Sequence, residues 1–68
     1  MNSETFKGQW KQLKGHVRKQ WGKLTDDDLD QIRGDAEVLA GKIQERYGRA
    51  KDEAKAEVDR FLEDRPPA

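Results

Sequence analysis

The chain has 68 residues, of which 41% are charged and 32% hydrophobic, with a mean hydropathy of −1.23 and fourteen basic residues balanced by fourteen acidic ones. This length allows one small domain, which buries only about 60% of its unfolded surface and is marginally stable. With no cysteine, disulfides and thiolate zinc sites are excluded, so order must come from helix packing or from a partner. No window approaches 18 apolar residues and the first ten lack an apolar signal core. We therefore expect a soluble cytoplasmic protein without a transmembrane segment.

An internal repeat organises the chain. The six glycines form two sets, each spaced by seven residues, and the second set is the first displaced by 26. The same displacement takes the pattern L-x-G-x-[VI]-x-x-x-[WY]-G-[KR] from 13–23 to 39–49. This correspondence indicates a duplication. The glycines are Gly8, Gly15, Gly22, Gly34, Gly41 and Gly48.

A first helix is predicted at about 4–21, because apolar residues recur there at helical spacing. Gly8 and Gly15 lie on the polar side of this stripe, where each costs about 0.8–1 kcal/mol relative to alanine. Gly22 follows the stripe and suits the left-handed conformation that ends a helix. The stripe consists of Phe6, Trp10, Leu13, Val17 and Trp21.

A short second helix is predicted at about 26–33. Thr25 is a good N-cap residue, and three aspartates follow in the first turn, where the helix dipole favours negative charge. Gly34 is expected to stop this helix. The three aspartates are interpreted as a solvated, acid-rich helix N-terminus.

Two further helices are predicted at about 35–47 and 50–63. The third helix carries most of a second stripe and ends at Gly48 in the left-handed conformation. The fourth directs Ala50, Ala54, Val58 and Phe61 toward the core. The second stripe consists of Ile32, Ala36, Leu39, Ile43 and Tyr47.

These elements predict an all-α fold in one domain, residues 1–64, with four helices in two α-hairpins. The tail at 65–68 contains two prolines and is expected to fray. A continuous helix pairing with a second chain is an alternative, because the apolar residues at 32, 36, 39, 43, 50 and 54 have a rough heptad rhythm. Glycines at 34, 41 and 48 make that arrangement costly, so a monomer is expected.

Three segments carry a family resemblance: WKQLKG at 10–15, WGKLTDDDL at 21–29 and LAGKIQERYG at 39–48. Over roughly residues 5–60 the chain resembles the CsbD-like family of small bacterial general stress proteins. The resemblance implies a SAM-domain-like arrangement of two α-hairpins packed crosswise, stress or stationary-phase expression under an alternative sigma factor, and no assigned biochemical activity. It implies no catalytic or binding residues. His16 stands where lysine is common in the family.

A calcium loop is the first candidate for chemistry, because Asp26, Asp28, Asp30 and Glu37 match four ligand positions of an EF-hand. The rest of the pattern fails, since Gln31 stands where the loop needs glycine. No metal or cofactor is therefore expected.

The second candidate is a basic stripe on the first helix, formed by Lys7, Lys11, Lys14 and Arg18. Residues 1–25 carry six basic groups and one acid, a net +5, whereas residues 26–68 carry eight basic groups and thirteen acids, a net −5. The stripe either contacts phosphates of nucleic acid or of an anionic membrane, or faces the acidic half of the same molecule.

Catalysis has few candidate residues. Hydroxyl nucleophiles are sparse, and His16 is the only histidine and lies away from the apolar stripe. Trp10 and Trp21 are interpreted as core anchors. The sequence therefore predicts a non-enzymatic stress-response protein without catalytic residues. Protection of clients in the manner of hydrophilins is the favoured mechanism, and docking of the basic stripe on nucleic acid or anionic lipid is the alternative.

Overall fold

The computed structural model describes residues 2–64, which are helical throughout apart from short connections. The Cα radius of gyration is 10.7 Å, close to the roughly 11 Å expected of a folded chain of this length. The predicted all-α class is confirmed for these residues, whereas the predicted fraying at 65–68 lies outside them. The helices are α1 (Ser3–Gly8), α2 (Trp10–Gln20), α3 (Asp26–Ile32), α4 (Ala36–Tyr47) and α5 (Lys51–Asp64).

The predicted first helix at 4–21 is interrupted, so five helices replace the expected four. Gln9 separates α1 from α2, with φ −109° and ψ 19°. The turn between α3 and α4 lies directly against this junction: a Cβ placed on Gly34 would be 2.7 Å from Lys7 Cα and 3.1 Å from Trp10 Cβ. The junction is therefore in backbone contact with a distant turn, and helical periodicity does not encode such a contact.

The predicted helix ends are correct in part. Gly48 ends α4 with φ 66°, as expected. Helix α3 ends in two left-handed residues, Arg33 with φ 49° and Gly34 with φ 82°. The prediction for Gly22 is wrong, because its φ is not positive. Trp21 instead ends α2 with φ −125° and ψ 80°, and its indole lies in the core, so the chain leaves the helix before Gly22.

Both apolar stripes contribute to one core. Trp10, Ala36 and Tyr47 pack against it while partly exposed, and the other stripe residues are buried. Ala54, Val58 and Phe61 are also buried, as predicted, but Ala50 is exposed. Ala50 precedes the first residue of α5, and its N–H donates to the Glu53 carboxylate at the surface. The Phe61 ring lies 5.1 Å from Trp21 and 6.3 Å from Phe6, centroid to centroid, and so joins α5 to both ends of the first stripe.

Helix α4 is central to the packing. Its contact with α5 is the most extensive between any two helices, and it also contacts α1 and α3. Its N-cap is Asp35, whose carboxylate accepts hydrogen bonds from the N–H groups of Glu37 (2.9 Å) and Val38 (3.4 Å). This capping starts α4 immediately after the Gly34 turn.

Candidate functional site

The residues of the basic stripe fall into two groups in the structure. Lys14 Nζ is 3.8 Å from Asp30 Oδ1, and the Arg18 guanidinium pairs with Asp26. Both pairs join α2 to α3 at the surface. Lys7 and Lys11 form no ion pair with any residue in 2–64, and Lys7 lies in α1, beyond the break at Gln9. Two of the four stripe cations thus face the acidic half of the molecule, and two face solvent.

A buried carboxylate lies on the opposite side of α3. Asp28 is 1% exposed, and its two oxygens accept hydrogen bonds from Arg46 Nε at 2.8 Å and Arg46 Nη2 at 3.0 Å. Lys42 Nζ is 3.5 Å away. The Thr25 N–H also donates to Asp28 (3.0 Å), while the Thr25 hydroxyl accepts from the Asp28 N–H (3.1 Å). One side chain therefore closes a capping box on α3 and binds two cations of α4.

These contacts fix the charge of Asp28. The hydrogen bond from Arg46 holds the pKa of the Asp28 carboxyl far below its ordinary range; the Thr25 N–H acts in the same direction and outweighs burial, which raises the pKa. The same hydrogen bond raises the pKa of Arg46. A carboxylate this firmly ionised is unsuited to proton transfer near neutral pH, because a general acid or base needs a pKa near the working pH.

The aspartates of the calcium-loop spacing lie in a helix and not in a loop. Asp26, Asp28 and Asp30 all lie in α3, and each contacts a basic side chain of α2 or α4. No group of three or more His, Cys, Asp or Glu residues within the described range could hold a metal ion. The interpretation of Asp26, Asp27 and Asp28 as a solvated helix N-terminus is wrong for Asp28, whose side chain is buried. The Thr25-x-x-Asp28 spacing was the available signal, because it matches a capping box.

Tyr47 forms a second cluster where two loops meet. Its hydroxyl accepts from the Lys23 N–H at 3.1 Å. Lys23 Nζ and Arg49 Cζ lie 5.1 Å and 5.7 Å from the ring centroid, within cation–π range. Arg49 Nε donates to Glu57 at 2.9 Å, and Trp21 Nε1 donates to the same carboxylate at 3.3 Å. The cluster ties the α2–α3 and α4–α5 loops to α5, which is a structural role.

The surface of residues 2–64 offers shallow grooves. One, of about 260 Å³, lies between α4 and α5 over Ala36, Ala40 and Val58. Another, of about 230 Å³, lies beside Trp21 and Phe61. Both are smaller than the roughly 300–1,000 Å³ usual for small-molecule sites. His16 is exposed. No helix within the described range is long and apolar enough to cross a membrane.

Residues 2–64 define a small hydrophilic helical domain in which one buried carboxylate pairs with two cations of α4 and no large hydrophobic side chain is exposed. A family model described as CsbD-like matches residues 4–56. The chain belongs to the CsbD-like family of small bacterial stress-response proteins, which confirms the resemblance seen in the sequence.

Curated relatives agree with this assignment. The chain is 59% identical over 58 residues to the UPF0337 protein YjbJ of Escherichia coli (strain K12), a match covering 85% of this chain and 84% of the relative. It is 56% identical to a UPF0337 protein of Pseudomonas aeruginosa, with 90% and 94% covered. A UPF0337 protein of Bordetella pertussis is 50% identical, with 97% and 100% covered. No solved structure gave a significant match.

Proposed function

We propose that this protein is a non-enzymatic stress protein that shields other macromolecules as water is lost, in the manner of hydrophilins. The observation that carries the proposal is the surface: residues 2–64 fold around a core, yet expose no large hydrophobic side chain. The absence of such side chains limits non-specific association of the protein with itself or with clients, because large apolar patches drive that association.

The exposed glycines support the same role. A Cβ added at Gly8, Gly15, Gly22 or Gly41 would meet nothing within 4 Å. Those backbone segments are therefore open to water. With 41% charged residues, the surface is strongly hydrated, because ionised side chains hold water.

A non-enzymatic role is supported by the chemistry of the site. The one buried carboxylate in the described range is locked as an anion by Arg46 and Thr25, and the two grooves are shallow. Neither feature provides a group with a pKa near neutrality in an enclosed pocket, which acid–base catalysis requires.

The duplicated two-hairpin architecture is part of this proposal. A displacement of 26 takes α2 from 10–20 to 36–46, within α4, and α3 from 26–32 to 52–58, within α5. This numbering supports a repeat of the α2–α3 unit, and the family resemblance implies that the two copies pack crosswise. The expectations of a monomer and of a cytoplasmic location stay predictions, and sedimentation velocity and cell fractionation test them.

Drying a labile enzyme with and without the protein tests the proposed function. We expect more activity to survive than with equal masses of lysozyme or albumin. The test variant is Lys55→Leu/Asp59→Leu, which places two leucines on exposed positions of α5 and keeps the net charge of the wild type. This variant should protect less well and should self-associate. Protection no better than that given by albumin would contradict the proposal.

A further inference from the structure

Two distant segments of the chain meet at the α1–α2 junction. A Cβ on Gly34 would lie 2.7 Å from Lys7 Cα and 3.3 Å from the Lys7 carbonyl oxygen. Arg33 immediately precedes Gly34, so its Cα lies within about 8 Å of Lys7 Cα. Lys11 lies in the first turn of α2, immediately after the break at Gln9. The fold therefore brings Arg33 of the α3–α4 turn beside Lys7, with Lys11 just across the break, and sequence spacing alone does not group these three cations.

These three cations are available to a partner. Lys7, Lys11 and Arg33 are exposed, and none pairs with a carboxylate anywhere in residues 2–64. Asp35 lies near them in sequence, but its carboxylate accepts hydrogen bonds from the first turn of α4. Glu4 is the acidic residue of α1 and lies three residues before Lys7. In contrast, the stripe residues Lys14 and Arg18 already contact aspartates of α3.

The backbone at Arg33 adds a second observation. Its φ of 49° lies in the left-handed region, where long side chains are uncommon. Residues held in such conformations cluster at functional sites. The conformation places an arginine beside the junction, where the helix-ending role alone would favour glycine or asparagine.

We propose that Lys7, Lys11 and Arg33, here called the junction patch, bind the phosphodiester backbone of nucleic acid. Exposed Lys and Arg side chains are the groups that contact phosphates in sequence-independent binding. The half-buried Trp10 lies at the patch edge and is held by edge-to-face contact with Phe6, with ring centroids 5.4 Å apart. This role is separate from the shielding function proposed above.

The surface favours nucleic acid over an anionic membrane. A helix that lies in a bilayer interface inserts an apolar face. Leu13 and Val17, on the apolar face of α2, are buried in the core. Within the described residues no large hydrophobic side chain is exposed for insertion. Binding to a lipid surface would therefore be stabilised only by electrostatic attraction to the headgroups.

Fluorescence anisotropy with a labelled DNA duplex of about 20 base pairs measures the binding. Three phosphate contacts give a slope of about −2.7 for log K against log salt, so affinity should fall about 40-fold from 50 to 200 mM NaCl. The test variant is Lys7→Gln/Lys11→Gln/Arg33→Asn, with asparagine chosen because it tolerates positive φ. It should abolish measurable binding while circular dichroism shows an unchanged melt.

The matched control is Lys51→Gln/Lys55→Gln/Arg60→Gln. These three residues are exposed on α5, and none is ion-paired among residues 2–64, so both variants change the net charge by −3. The control should bind DNA within about twofold of the wild type.

Equal losses in the two variants would overturn the proposal, because binding would then follow net charge and not the patch. Binding to anionic phosphatidylglycerol vesicles that matches or exceeds binding to DNA at the same salt would also overturn it, as would a wild-type chain that leaves the DNA anisotropy unchanged at 50 mM NaCl. Full protection in the drying assay with no DNA binding would refute the patch and leave the shielding function standing.

Discussion

Gly34 is the glycine on which the fold most depends, and Gly34→Ala is the most informative substitution. Its φ of 82° lies where an L side chain is strained, at a cost of roughly 1–2 kcal/mol. The added methyl would also lie 2.7 Å from Lys7 Cα, and overpacking against backbone adds about 1–3 kcal/mol. Gly34→Ala is therefore expected to lower the free energy of unfolding by about 2–5 kcal/mol. A domain of this length has a total stability of only about 3–10 kcal/mol.

Substitutions at two other glycines distinguish the cost of backbone strain from the cost of overpacking. Gly48 has φ 66° but open space around it, so Gly48→Ala measures backbone strain alone, about 1–2 kcal/mol. Gly41 lies inside α4 with neither strain nor a close neighbour, so Gly41→Ala should stabilise the domain by about 0.8–1 kcal/mol. The expected order of stability is Gly41→Ala, wild type, Gly48→Ala and finally Gly34→Ala.

Urea and thermal unfolding, followed by circular dichroism and tryptophan fluorescence, provide the assay. A change of 1 kcal/mol shifts the Tm by about 4–8 °C in a domain of this size, so the three variants should be well resolved. The reasoning is refuted if Gly34→Ala is no less stable than Gly48→Ala. In that case the backbone contact with Lys7 would relax without cost, and would not explain the break between α1 and α2.

Two further predictions concern the capping box of α3. Because the Asp28 pKa is lowered in the folded state, its ionised carboxylate stabilises the fold above the unfolded pKa, and this contribution is lost as the pH falls below about 4. Asp28→Asn should lower the Tm at pH 7 and flatten its decline between pH 4 and 2; a decline as steep as that of the wild type would contradict this. Thr25→Ala removes the hydroxyl that caps α3 and should cost about 1 kcal/mol in urea unfolding, and an unchanged midpoint would show that the cap contributes nothing.

Much of the fold follows from local pattern. Three local predictions are confirmed: Thr25 caps α3, Gly48 ends α4, and both apolar stripes pack in the core. Periodicity decides which face of a helix is buried, and capping chemistry decides where it starts. Both require knowledge of only a few neighbouring residues.

The parts that sequence reasoning missed depend on contacts between distant segments. The break at Gln9 arises where Gly34 meets Lys7, 27 residues away in the chain, as their numbers show. The Asp28 carboxylate is buried only because α4 supplies Arg46 and Lys42. The Thr25-x-x-Asp28 spacing marks Asp28 as a capping-box residue, but the cations that cover its carboxylate belong to α4, so no local rule shows that Asp28 is buried while Asp26 and Asp27 are exposed.

The fold neutralises part of the basic first segment with acidic side chains, and this bears on both proposals. The basic first segment and the acidic remainder meet at the surface pairs Lys14–Asp30 and Arg18–Asp26, each worth at most about 1 kcal/mol. These pairs screen one part of the stripe and leave the junction patch uncovered. Shielding during drying depends on the whole hydrated surface, whereas nucleic-acid binding depends on three cations. The junction-patch variant should therefore lose DNA binding and keep full protection, so one variant in two assays separates the proposals.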